Sequence, residues 1–304
     1  MRFTRFTGFK NGVLWFKGYT GFEVRGFGVQ RFELLALASA TRLAMRSAVA
    51  AAVFLISATA VMGQPSQIAP IVDHIHLLVP DQAAGVAWYQ KNFGGQPMTE
   101  APDRLMFGDT RLIFLRSANG NAQPSAGSAI DHIGFSVPDL DAKLKQLEAA
   151  GAKIVNPARD VPGLFKLAFV DDPWGTRLEV VQDADKLGLH HVHLRGPDPN
   201  AVLAFYKEKF GGETGKLKDR IDGIKLSDVW IVVQRGDAVP SEGHAVDHFG
   251  FRTTADLTTK VNEYKGAGVK FTTEPRPLKL ASGVSVNYAY LEGPNGAKVE
   301  LVQR

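Results

Sequence analysis

Histidine recurs at one place in four stretches of this chain: His74 in "DHIHLLVPD", His132 in "DHIGFSVPD", His191 in "HHVHLRGPD" and His248 in "VDHFGF". Each stretch alternates as a strand does, so residues two apart share a face, and His76 and His193 follow His74 and His191 on theirs. Two later strands, "TRLEVV" and "VELVQR", carry Glu179 and Glu300. Aligning them with "TRLIFL" and "WIVVQR" puts Ile113 and Ile231 where those repeats lack the acid. Two imidazoles and one carboxylate on converging strands can hold a divalent metal and leave positions open for substrate oxygens and O2 or water. A single strand histidine is more simply a core residue bonded to backbone. Four at equivalent places favour metal binding, because a lone buried Glu is costly without a cation to pair with.

The elements that position these residues are read from the repeat itself. "HIHLLVPDQAAGVAWYQKNFGG" from His74 returns as "HVHLRGPDPNAVLAFYKEKFGG" from His191, and "DHIGFSVPDLDAKLKQLEAAGAKI" from Asp131 returns more loosely from Asp247. Each unit opens with a strand and enters a helix. Asp81 and Asp198 stand where an N-cap is wanted, and Leu140, Leu144 and Leu147, like Leu257, Val261 and Tyr264, form one buried helical stripe. Trp88, Tyr89 and Phe93, with Phe205, Tyr206 and Phe210, read as packing residues on the other two helices. Glycine-bearing turns and short strands complete a βαβββ unit. The expected fold is α+β: module 1 (71–117) and module 2 (128–183) forming one domain, 71–183, and module 3 (188–236) and module 4 (244–304) forming a second, 188–304. Each pair of short sheets combines into a half-barrel around a cup.

With these motifs, and the closing "DPWGTRLEV" and "GPNGAKVEL", the chain from about residue 71 to 304 resembles the vicinal oxygen chelate superfamily, which includes glyoxalase I, bleomycin-resistance proteins, fosfomycin-resistance enzymes and extradiol dioxygenases. By that resemblance the metal ligands are His74, His132 and Glu179 for one centre and His191, His248 and Glu300 for the other. The cofactor is a divalent metal, Fe(II) first, with Mn(II) or Zn(II) as alternatives. Metal-dependent glyoxalase I uses two His and two Glu, so Ile113 and Ile231 disfavour its proton-transfer chemistry. Dioxygenase-type chemistry on a small, metal-chelating, oxygenated substrate is the leading expectation. The alternatives are a lyase, isomerase or transferase of the same superfamily, or a non-catalytic binder. The resemblance gives Tyr290 a catalytic contact with a substrate oxygen, against Phe169 at the matching place. His193 is a candidate proton donor, and Arg195, Arg252 and Tyr288 are candidate substrate contacts that make the C-terminal cup the more polar one. The extradiol pattern is incomplete: "ASGVSVN" lacks its further His, and Gly293 stands where an acidic or polar residue is usual.

Composition sets outer limits on partners. The formal charge is +4, but seven Lys or Arg against Glu23 and Glu33 within residues 1–44 leave the remainder at −1, with no basic excess for nucleic acid. Cysteine is absent, which excludes disulfides and thiolate ligands. "MRSAVAAAVFLISATAVMGQPSQ" from Met45 has the layout of a secretory signal peptide over 45–63, with residues 1–44 as upstream or mis-started sequence and a periplasmic or secreted product. The expected partner is a small molecule, with no nucleic acid and no membrane after signal removal, and the chain a monomer or homodimer.

Overall fold

The computed structural model describes residues 9, 10, 13, 14 and 68–304, apart from 100, 119, 121, 281 and 282. Upstream, β1 (Phe9–Lys10) pairs with β2 (Val13–Leu14). The expected signal segment at 45–63 lies outside the described residues.

The body consists of four βαβββ modules. Module 1 contains β3 (His74–Val79), α1 (Gln82–Phe93), β4 (Gln96–Met98), β5 (Ala101–Phe107) and β6 (Thr110–Arg116). Module 2 contains β7 (Ile130–Ser136), α2 (Leu140–Ala149), β8 (Lys153–Asp160), β9 (Lys166–Asp171) and β10 (Arg177–Gln182). Module 3 contains β11 (Gly188–Gly196), α3 (Pro199–Phe210), β12 (Glu213–Leu217), β13 (Ile221–Leu226) and β14 (Val229–Arg235). Module 4 contains β15 (Val246–Thr253), α4 (Leu257–Gly266), β16 (Phe271–Lys279), β17 (Ser285–Glu292) and β18 (Lys298–Gln303). The expected caps form. Asp81 accepts the Ala84 amide at 2.8 Å, and Asp198 accepts those of Asn200 and Ala201 at 3.1 and 3.3 Å.

The modules join differently from the expected tandem pairs. One eight-stranded sheet runs β12-β13-β14-β11-β7-β10-β9-β8 and so combines modules 2 and 3; the other runs β16-β17-β18-β15-β3-β6-β5-β4 and combines modules 1 and 4. Helix packing gives a physical reason. Phe93 of α1 stacks on Phe135 of β7 at 4.3 Å, Trp88 donates to the Ala150 carbonyl at 2.8 Å, and Phe210 of α3 stacks on Phe251 of β15 at 3.8 Å. Tandem neighbours are thus held through their helix faces, which leaves the edge of each first strand for a non-tandem partner. The link 183–187 spans at most about 17 Å when extended, enough to step over β7 and set β11 beside it. The longer connections between modules cross from sheet to sheet and pair with each other through the bridges Gln123↔His244 and Ser128↔Val239.

Candidate metal centres

Each sheet has its centre where two first strands meet antiparallel. There His193 faces His132 and His191 faces Gly134 in one sheet, while His76 faces His248 and His74 faces Gly250 in the other. The last strands run parallel alongside, placing Glu179 across from Gly134 and Glu300 across from Gly250. The glycine makes this possible. A Cβ on Gly134 would lie 2.1 Å from the His191 ring, and one on Gly250 would lie 2.2 Å from that of His74. Each histidine therefore leans over the other module's glycine toward its glutamate.

Two clusters result. His132 Nε2 and His191 Nε2 each lie 3.1 Å from Glu179 Oε2, with His193 Nδ1 at 3.9 Å. His248 Nε2 and His74 Nε2 lie 3.2 and 3.3 Å from Glu300 Oε2, and His76 stacks on His248 at 4.1 Å. The candidate donor atoms of each group fall within 4.8 Å of one another. His76 Nδ1 and His193 Nδ1 are buried and have no hydrogen-bond partner among the described residues. Orphaned ring nitrogens converging on a buried carboxylate, with no thiolate in the chain, fit a borderline divalent cation such as Fe(II), Mn(II) or Zn(II).

The residue before each ligand histidine orients it. His74 Nδ1 donates to Asp73 at 3.0 Å and His132 Nδ1 to Asp131 at 2.7 Å, and His248 is paired in the same way with Asp247, so each Nε2 lone pair points into the cluster. Burial pushes the Asp73 and Asp247 carboxyls up, but the histidine hydrogen bonds and nearby charges outweigh it and hold both at about 2. At His191 the aspartate is replaced by His190. Its Nδ1 lies 2.8 Å from His191 Nδ1 and its Nε2 3.3 Å from Asp183. Burial, then His191, lowers His190 to about 4, so the ring is neutral and relays the same polarity to Asp183. Burial also lowers His191, His193 and, far more, His76, keeping their lone pairs free. In His74 and His132 the neighbouring carboxylates overcome burial and raise the imidazole. Both glutamates are held well below the usual carboxylate range by these rings, against burial.

The model of the Glyoxalase/Bleomycin resistance protein/Dioxygenase superfamily matches residues 71–180 and 188–301. The chain belongs to this superfamily. Glyoxalase I from Zea mays is 23% identical, with a TM-score of 0.59 over 77% of this chain and 92% of that one. A protein described as a dioxygenase from Bacillus subtilis subsp. subtilis str. 168 is 15% identical, with a TM-score of 0.54 over 77% and 85%. At these identities the likeness is one of fold. Lactoylglutathione lyase from Pseudomonas aeruginosa is 41% identical over 64 residues, which are 21% of this chain and 34% of that protein, so the chain spans about a third of that curated relative.

Against this superfamily frame, the expected ligand grouping is corrected. All six expected ligands lie in the clusters, but His74, His248 and Glu300 converge in one, and His132, His191 and Glu179 in the other. The half-barrels are thus built across the tandem domains 71–183 and 188–304. The expected C-terminal cup divides accordingly. Tyr288, Tyr290 and Arg252 stay with Glu300, while His193 and Arg195 belong to the Glu179 cup. A second correction concerns the missing acid. His76 faces Ile113 as expected, but His193 faces Val232, so Ile231 points to the opposite face and into the core.

The cups differ in the row of residues through each centre. Across one sheet it reads Lys225, Trp230, His191, Gly134, Glu179, Phe169; across the other, Met106, Arg111, His74, Gly250, Glu300, Tyr290. In the first cup Phe165, Leu167, Val181, Leu217 and Val232 form a separate apolar cluster with Phe169 and Trp230. A depression of about 440 Å³ beside it is lined by Asp131, Phe169, Arg177 and Arg195. Arg195 is engaged there by the Asp237 carbonyl at 2.7 Å. In the second cup Lys298 lies 4.7 Å over the Tyr290 ring and Arg276 5.5 Å over Tyr288, while Arg252 lies 3.4 Å from Asp73. Arg104, which sequence reasoning missed, is buried on this face across from Ile113; its only sequence signal is its alternation with Met106.

Proposed function

We propose that the chain is a metal-dependent enzyme of its superfamily, performing dioxygenase-type chemistry on a small oxygenated substrate in the cup built by modules 1 and 4. The observation that carries this reading is the single carboxylate of each cluster. Where a second acid would face the centre stand Ile113 and Val232, both buried, so among the described residues neither cluster holds the second carboxylate that would move a proton between substrate carbons. Bound there, a divalent metal would supply Lewis-acid activation and, as Fe(II), redox chemistry with O2.

The chain's own residues supply the rest. Burial, then Glu300, pushes the Tyr290 phenol far up, so it is a neutral donor for a substrate oxygen. Arg104 is paired with Asp103 at 2.7 Å, but Arg111, Arg252 and Arg304 share the single carboxylate of Asp73, which leaves positive charge beside the cup for an anionic or phenolic ligand. Both atoms of O2 enter the product in such a reaction, so the substrate supplies all the electrons and no external reductant is required. The partial match to lactoylglutathione lyase favours the second reading, a glyoxalase-like lyase. Fe(II)-loaded protein offered phenolic and vicinally dioxygenated compounds in an oxygen electrode separates them. Uptake of O2 that is lost in Glu300→Gln supports the proposal, and formation of lactoylglutathione from glutathione and a 2-oxoaldehyde without O2 uptake overturns it. Export through 45–63 is part of the proposal; N-terminal sequencing of the mature product is expected to start downstream of Ala60.

A further inference from the structure

We infer that His76 and His193 are fourth protein donors, each binding through Nδ1, so that both centres are three-imidazole, one-carboxylate sites instead of 2-His-1-carboxylate triads. The inference rests on reading the clusters as metal centres and deepens it. Three observations carry it.

First, each ring belongs geometrically to its cluster: its candidate donor atom lies within 4.8 Å of all the others. Second, the nitrogen concerned is buried and unpartnered in both cups, although their linings are otherwise unlike. A buried polar atom without a partner is destabilising, and the same orphan arising twice points to a common ligand. Third, the modules exchange donors in a fixed pattern. In modules 2 and 4 the position two after the ligand histidine is Gly134 or Gly250, and the residue facing it on the last strand is Glu179 or Glu300. In modules 1 and 3 that position is His76 or His193, and the residue facing it is Ile113 or Val232. The donor has moved one strand over, from the last strand to the first. An imidazole there also has the space it needs, stacked on His248 at 4.1 Å or inclined to His132 at 4.4 Å. The number of protein donors is thereby kept at four while one carboxylate is replaced by a neutral ring.

The test loads the whole chain with Zn(II) alone and counts imidazoles by X-ray absorption, with affinities from competition against a chromophoric chelator. The expected result is three imidazoles per zinc in wild type and two in His76→Ala with His193→Ala, with affinity reduced by at least about 10-fold at each centre. Ile113→Glu added to His76→Ala is expected to restore binding at its own centre, which a purely structural role for His76 would not allow. Two imidazoles per zinc in wild type, or unchanged affinity in the variants, overturns the inference while leaving the metal-enzyme reading in place. Wild-type protein that takes up no zinc overturns both. The wild-type spectrum decides even where a variant fails to fold.

Discussion

Replacing Gly250 with alanine should disable one centre and spare the other. The backbone at Gly250 is ordinary extended strand, so the perturbation acts only through the added methyl, which would sit 2.2 Å from His74 Cε1 and 2.4 Å from its Nε2. Carbon atoms in contact prefer about 3.5 Å, so the ring must retreat by more than ~1 Å. It has nowhere to go without loss. Its Nδ1 is held by Asp73 at 3.0 Å, and Asp73 is itself fixed by Arg111 at 3.1 Å and Arg304 at 2.5 Å. The ring therefore gives up either its orienting hydrogen bond or the direction of Nε2 toward Glu300. Loss of an orienting partner alone costs about 10–100-fold in metal affinity, and the overpacking adds about 1–3 kcal/mol of destabilisation to the metal-free protein. Gly134→Ala should do the same to the other centre through His191. Chelator competition read together with urea unfolding of the metal-free protein makes the comparison. Two centres of wild-type affinity in Gly250→Ala would refute the claim that His74 leans across the neighbouring module.

Two further predictions concern the helix faces. Tyr89 donates to Asp172 at 2.8 Å, whereas the buried Tyr206 hydroxyl has no partner among the described residues because Gly293 stands where Asp172 would. Tyr89→Phe is expected to cost about 2 kcal/mol in urea unfolding and Tyr206→Phe nothing or less than nothing; equal losses would contradict the asymmetry. Burial raises the Asp172 carboxyl from 3.8 to about 6, so the folded state holds its proton more tightly than the unfolded state does. Its contribution is fully present below about pH 4 and is lost as pH rises through 6, amounting to about 3 kcal/mol. Asp172→Asn is expected to remove this slope, and an unchanged difference between pH 4 and pH 7 would refute it.

The repeat made the modules, their strands and their caps legible in the sequence, since Asp81, Asp198 and the stripes of the helices depend only on local spacing. Their partnership was not legible. The first strand of each module alternates identically whether it meets its tandem neighbour or a distant one, and connections of these lengths permit either. What separates the two is the meeting of Phe93 with Phe135 and of Phe210 with Phe251, a tertiary match that periodicity does not express. Ile231 shows the cost of a one-residue slip. Aligning "WIVVQR" with "VELVQR" moved every side chain of β14 to the wrong face, and pairing with β11 restores Val232 to the cup. The residues that gather in the two clusters were legible because chemistry-bearing types recur at fixed offsets. The glycine in "DHIGF" and "DHFGF" makes room for a ring from another module, which no single module's sequence contains.

Each candidate metal centre is shared between modules 1 and 4 or between modules 2 and 3. Metal content of the full chain loaded with Fe(II), Mn(II) or Zn(II) tests this sharing, in wild type, His74→Ala with His248→Ala, and His74→Ala with His132→Ala. The expected result is two tightly held metals per wild-type chain, one in the first double variant, which removes two donors from a single centre, and no tightly held metal in the second, which removes one donor from each and weakens both. One metal retained by the His74, His132 variant and none by the His74, His248 variant would contradict it and return the ligands to their tandem pairs.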